Sequence, residues 1–192
     1  MKIILASASP RRKELLFTIV PEFDVLTSGA KEVTALLPWR TVLLNATAKN
    51  LDLQTDADIV VSADTGVFLG WKFYGKPRTE EEAFKMLKRL DGRTHSVWTG
   101  VTVRYVAGGR QHLISRAVRS RVKLHFGSDD AIKAYIATGS PMDKAGAYGI
   151  QDDISSVCKG SLTNVIGLPV EETRALMTRA IAAINADKEA KC

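Results

Sequence analysis

Cysteine is scarce in this chain of 192 residues: only Cys158 and Cys192 occur, far apart. A structural disulfide is not expected from that pair, and no Cys-x-x-Cys or Cys/His spacing offers a zinc site. Histidine is nearly as rare. His95, His112 and His125 fall in stretches that read as β-strand, so they are expected to be ordinary strand residues. Aromatic residues make up 7% of the chain, which is thin for the interleaved stacking surface that nucleic acids use. No apolar run approaches the ~20 residues of a membrane span; the longest is Ala180 to Ile184. Met1 to Leu5 is too short for the apolar region of a signal peptide, so a cytoplasmic protein is expected. The Walker loop and the Gly-x-Ser-x-Gly elbow are absent as well. Covalent catalysis by Ser, Cys or His is therefore disfavoured.

What the chain does have is a globular composition, 45% hydrophobic and 25% charged, which excludes disorder and collagen-like folds. The length fits one domain or two interlocked lobes. The net charge of +6 points either to an anionic partner or to a solvated basic surface.

Periodicity gives a partial element list. Lys2 to Ala6 reads as a buried strand, and Ser9 followed by Pro10 reads as a helix N-cap and first turn. Phe23 to Thr27 is a short strand, Thr41 to Leu51 a helix, and Asp58 to Ala63 a buried strand expected to end at Asp64-Thr65. An extended segment, Val67 to Tyr74, turns near Gly70. Thr79 and Glu82 form a capping box for a helix that stops at Asp91-Gly92. Ser96 to Val106 and Gln111 to Phe126 make a long hairpin, Ser128 caps a short helix closed by Gly139, and Ser140 to Gln151 is a loop. The last helix opens at Pro169 and buries Leu176, Met177, Ala180, Ile181 and Ile184. Together these predict an α/β fold with a mixed, partly antiparallel sheet rather than a doubly wound parallel one.

Four constellations could carry chemistry. The opening turn joins a helix N-terminus to Ser7, Ser9, Arg11 and Arg12, which is either an anion pocket or a plain cap with two solvated arginines. Asp64-Thr65, after a buried strand, is either a metal or proton site or a turn. Lys76 projects from Gly75-Lys76-Pro77. Asp143 to Gln151 is rich in small residues and ends in Gln151, whose amide both donates and accepts as reading a base edge requires. Carboxylates, cations and glycines without a nucleophile suit metal-assisted attack of water on a phosphate.

Ser7-Ala8-Ser9-Pro10-Arg11-Arg12, Ser62-Ala63-Asp64-Thr65, Gly75-Lys76-Pro77, Asp143 to Gln151 and Asn164 to Pro169 stand in the order and spacing of the Maf family of nucleoside triphosphate pyrophosphatases, which the chain resembles over residues 2 to 180. That resemblance implies one domain over residues 1–192, an elongated mixed sheet of the inosine-triphosphatase-like type flanked by helices, in two lobes with a central cleft, often dimeric. It implies release of pyrophosphate from a nucleoside triphosphate with Mg²⁺ or Mn²⁺. By position it makes Asp64 the general base and a metal carboxylate, and Glu32 the second acidic residue. Arg11, Thr65 and Gln151 match positions tied to base choice; Arg12, Lys49 and Lys76 match phosphate contacts; Ser7, Ser9 and Lys144 complete the substrate-binding set. The form of the Asp143–Gln151 loop resembles the branch that prefers dTTP and UTP. Two departures stand out: Leu44 to Asn50 replaces the usual Leu-Ala-x-x-Lys-Ala, and Asp152 to Lys159 is short and lacks glycines.

Two rival readings remain at this stage. One is a basic nucleic-acid or nucleotide-binding regulator of division without catalysis, drawn from the charge; the other is a pyrophosphatase for a purine or methylated nucleotide.

Overall fold

Apolar Ile3–Ala6 forms β1, every residue of it buried, and Pro10–Phe17 forms α1 immediately after. The computed structural model describes residues 1–190. The elements that follow are β2 (Asp24–Leu26), α2 (Pro38–Asp52), β3 (Ile59–Leu69), β4 (Lys72–Tyr74), α3 (Glu80–Leu90), β5 (Thr94–Ala107), β6 (Arg110–His125), α4 (Asp129–Ala137), β7 (Ser155–Lys159), α5 (Leu162–Ile166) and α6 (Val170–Glu189). The strands make one seven-stranded sheet in the order β2-β1-β3-β5-β6-β7, with β4 beside β3. β1 pairs in parallel with β2 and β3; all other strand pairs are antiparallel. The mixed sheet expected from the sequence is therefore present.

Several local expectations need correction. Ser9 stands at the N-cap of α1, but its side chain caps nothing there; instead its N–H donates to Ser7 Oγ at 3.2 Å. Thr79 Oγ1 does accept from Glu82 N–H at 3.1 Å, but the Glu82 carboxylate accepts from Arg78 N–H rather than from Thr79. The strand expected to end at Asp64 runs on to Leu69, so Asp64 and Thr65 are mid-strand residues. The reason lies in Gly66: a Cβ there would stand 2.8 Å from the Phe73 ring and 2.9 Å from that of Phe68. The glycine admits two aromatic rings against an extended strand and does not mark a turn. Residues 140–147 of the expected loop wind into two short 3₁₀ turns, and β7 and α5 had no counterpart in the sequence reading. Cys158 is a free thiol on β7; Cys192 lies outside the described residues.

Two of the three apolar clusters carry most of the packing, the third being the small group Ile4, Ala6, Leu53, Ala57 and Val60. One joins β1, β3 and β5 to α1 and α6 through Leu5, Leu16, Val61, Val103, Met177 and Ile184. The other joins Val67, Val97 and Leu124 to α3 and α4 through Leu87, Leu90 and Ile132. On β3 the first cluster ends at Ala63 and the second begins at Val67. α2 covers the opposite face of the sheet, held largely by polar contacts. Asn50 Nδ2 donates to Val60 C=O at 2.9 Å and to Ser62 Oγ at 3.1 Å, and Ser62 Oγ donates to Ala46 C=O at 2.7 Å. Among the described residues no helix is long and apolar enough to cross a membrane.

Candidate active site

β1 pairs with β3 only as far as Leu5 opposite Val61, and β4 begins its pairing at Val67. Between them, the edge of β3 from Ser62 to Gly66 faces no strand. The turn from β1 into α1 arrives at this gap from one side, and Gly75-Lys76-Pro77 leaves β4 at the other. The crevice that open α/β sheets form at their strand ends has the same origin: neighbouring strands stop and their loops diverge. The mid-strand Asp64 thus borders a crevice because β1 ends beside it.

Side chains alternate across a strand, so Asp64 and Thr65 serve opposite faces. On the α2 face, Asp64 is 6% exposed. Lys49 Nζ donates to Asp64 Oδ1 and to Glu32 Oε1, both at 2.6 Å. Asn45 Nδ2 donates to Asp64 Oδ2 at 3.1 Å. Glu32 reaches this point from the segment between β2 and α2, with its side chain 61% exposed.

On the other face, Arg12 is held by three neutral acceptors: Gly167 C=O at 2.9 Å, Thr65 Oγ1 at 3.1 Å and Ser7 Oγ at 3.3 Å. Beside it opens a cavity of about 110 Å³. Ser9, Arg11, Arg12, Thr65, Lys76, Lys144 and Gln151 all line it. Val67, Val97, Tyr148 and Ile150 supply apolar wall. Arg11 crosses to Asp143 at 3.0 Å, so the first turn and the 140–151 segment touch across the opening. Lys144 spends its ammonium within its own segment, on Ser140 C=O at 2.6 Å, Ser140 Oγ at 2.9 Å and Asp143 at 2.9 Å. It lines the cavity as a brace of that segment.

The two faces are electrically one site. Burial pushes the Glu32 carboxyl up, but the hydrogen bond and charge of Lys49, with the charges of Lys76 and Arg12, outweigh it and hold the group below its ordinary value. Burial pulls the Arg12 guanidinium down, against the charges of Asp64 and Glu32. The expected set therefore gathers around one gap. Ser9, Arg11, Lys76, Lys144 and Gln151 stand on the cavity side, and Asp64, Glu32 and Lys49 on the α2 side. Arg12, with Ser7 and Thr65, lies where they meet. Sequence reasoning missed Asn45, whose only signal is that it precedes Lys49 by one helical turn. It also missed the pair His95–Tyr148, in which Nε2 lies 2.8 Å from the hydroxyl.

Among the described residues no group of three or more His, Cys, Asp or Glu gathers, so they offer no all-protein metal cage. Two carboxylates converging on one ammonium is a different donor set. Mg²⁺ binds through one or two carboxylates plus substrate phosphates and keeps several waters, and Asp64 with Glu32 fits that pattern.

Comparison with known proteins adds a name for the family. The family model described as Maf-like protein matches residues 2–180. The chain belongs to that family. Among Maf-like relatives, a protein of Clostridium botulinum (strain Eklund 17B / Type B) named dTTP/UTP pyrophosphatase is 39% identical, with 94% of this chain and 100% of that one covered. A protein of the same name from Thermococcus onnurineus is 42% identical, over 88% of this chain and 92% of its own. The structure of the Staphylococcus aureus Ham1 protein superposes with a TM-score of 0.52 at 13% identity, over 93% of this chain and 98% of that one. This Maf-like chain therefore has the inosine-triphosphatase-like fold that its motifs implied.

Proposed function

We propose that this Maf-like chain hydrolyses dTTP and UTP to the monophosphate and pyrophosphate. The observation that carries the reading is the gap along β3, where an acid–cation cluster and a small polar-and-apolar cavity meet at Arg12. The relatives' shared name supports the substrate class.

The roles follow from position. The pyrimidine ring enters the cavity, where Gln151 offers an amide to its edge and Val67, Val97 and Ile150 offer apolar wall. The triphosphate crosses the gap. Arg12 and Lys76 face it from the cavity side and Lys49 from the α2 side, so that charge growing on the leaving pyrophosphate meets fixed cations. Asp64 holds an oxygen beside Lys49 and takes the proton of the attacking water. Asp64 and Glu32 would hold Mg²⁺ or Mn²⁺. Such an ion, when bound, neutralises phosphate charge and lowers the pKa of water.

The test is pyrophosphate release from a nucleotide panel, by wild type and Asp64→Asn. Release from dTTP and UTP well above that from purine and methylated nucleotides is expected, with a folded, inactive variant. Full dTTP hydrolysis by folded Asp64→Asn would overturn the assignment, and a purine preference would overturn the substrate. The cations of the site converge on one cleft rather than lying out as a stripe, so polymer binding is not the expected activity.

A further inference from the structure

Asn45 is 3% exposed and stands in Leu44 to Asn50, where the chain departs from the usual Leu-Ala-x-x-Lys-Ala. Its side-chain amide forms a fork on the backbone of Val33. Val33 N–H donates to Oδ1 at 2.8 Å, and Nδ2 donates to Val33 C=O at 3.0 Å. The second Nδ2 hydrogen goes to Asp64 Oδ2 at 3.1 Å. The orientation of the amide is fixed by its partners. A backbone N–H can only donate, while a carbonyl and a carboxylate only accept, so oxygen and nitrogen cannot be exchanged. One buried group thus holds the backbone adjoining Glu32 and one oxygen of Asp64, and leaves the other oxygen to Lys49.

We propose that Asn45 is a positioning residue for the reaction. It turns the Asp64 carboxylate so that Oδ1 faces the cations, and it fixes the segment of Glu32 so that both carboxylates meet at one point. The inference rests on the reading of Asp64 and Glu32 as the acidic residues of the site. A neighbouring contact supplies the control. Thr41 Oγ1 accepts from Ala35 N–H at 2.9 Å and donates to Ala35 C=O at 3.1 Å. It tethers the same segment and, in the contacts it makes, reaches neither carboxylate.

The experiment compares the full chain with Asn45→Leu, Asn45→Asp, Thr41→Val and Asp64→Asn. Thermal melting confirms folding, hydrogen exchange reports the order of residues 28–37, and kcat and KM are measured with dTTP. Asn45→Leu keeps the branching and number of heavy atoms and removes all three hydrogen bonds. Its kcat is expected to fall by roughly 10- to 100-fold, the range for groups that orient ligands, with KM little changed and faster exchange in 28–37. Asn45→Asp keeps the acceptor for Val33 N–H but turns a carboxylate towards Asp64. It is expected to lose kcat with smaller gains in exchange, and it decides the matter if the leucine variant does not fold. Thr41→Val is expected to speed exchange while keeping kcat. Wild-type kcat in a folded Asn45 variant overturns the proposal. So does an equal loss in Thr41→Val, since tethering alone would then explain the effect. If Asp64→Asn stays active, the underlying reading of the site has failed instead; if it is inactive while Asn45→Leu is not, only this inference has.

Discussion

Arg12 is the residue on which the two halves of the site depend. Its guanidinium directs Nε, Nη1 and Nη2 to three acceptors that come from the end of β1, the middle of β3 and the residue after α5. Because all three acceptors are neutral, none of them cancels its charge, which is available to a phosphate. A lysine could keep the charge but is a point donor without a planar fork. Arg12→Lys is therefore expected to fold and to lose roughly 10²–10³ in kcat, the typical effect of removing one pre-organised donor. Pyrophosphate release under saturating dTTP measures it, and near-normal kcat would show that only the charge matters. Gln151 makes the complementary case. Its side chain lines the cavity and is exposed, so Gln151→Ala is expected to raise KM for dTTP and to narrow the margin over purine nucleotides, with little change in thermal stability.

The placing of Asp64, Lys49 and Asn45 is a property of elements, and α2 is the one that matters. It approaches the sheet closely because β5 has Gly100 directly opposite Asp64. A Cβ at position 100 would stand 2.5 Å from Val42 C=O oxygen and 2.8 Å from Leu43 N. These are backbone atoms and cannot rotate aside. Gly100→Ala must lift α2 from the sheet, and overpacking of this kind costs about 1–3 kcal/mol. Since α2 carries both Lys49 and Asn45, the same change is expected to lower kcat even where the variant still folds. Urea denaturation and dTTP turnover, measured together, check this. An unchanged midpoint would mean that the helix has room to yield. This contact was invisible in the sequence, where Gly100 is one glycine among the 14 of the chain. The opening strand–turn–helix, the β5–β6 hairpin and the face of α6 were legible, because periodicity and turn residues speak directly to local structure. β7 and α5 were not, since neither is long enough to show a period. The path of β3 through Asp64, Thr65 and Gly66 was misread because residues that usually mark turns were here selected by what lies next to them. The candidate site residues could be named by motif, and the fold brings them to one gap. Their division between two faces, and the role of Asn45, needed the third dimension.

For the whole molecule, the distribution of buried titratable groups sets how stability depends on pH. His95 is 2% exposed, and its Nδ1 lies 3.1 Å from Arg93 C=O. That carbonyl can only accept, so Nδ1 carries the hydrogen and Nε2 accepts from the Tyr148 hydroxyl, 2.8 Å away. The ring is thus held neutral, with burial lowering its pKa against the smaller opposing effect of the Arg93 bond. Burial also raises the pKa of Tyr148, so that hydroxyl stays a donor. The unfolded chain binds a proton at His95 near the ordinary value of 6.5, and the folded chain only below it. Stability from this source is complete above that pH and is lost as pH falls towards the depressed folded value, by at most about 1.4 kcal/mol per pH unit. Glu32 also has a lowered folded value, but the stability it adds is lost only as pH falls below its ordinary 4.5. The interval between pH 6.5 and 4.5 therefore isolates the histidine. His95→Gln keeps a polar side chain that cannot titrate there. Urea unfolding across this interval is expected to show wild type losing stability while the variant, less stable at neutral pH, loses little. Parallel slopes would mean that His95 accepts its proton without leaving Tyr148, and that the acid sensitivity of the fold arises elsewhere.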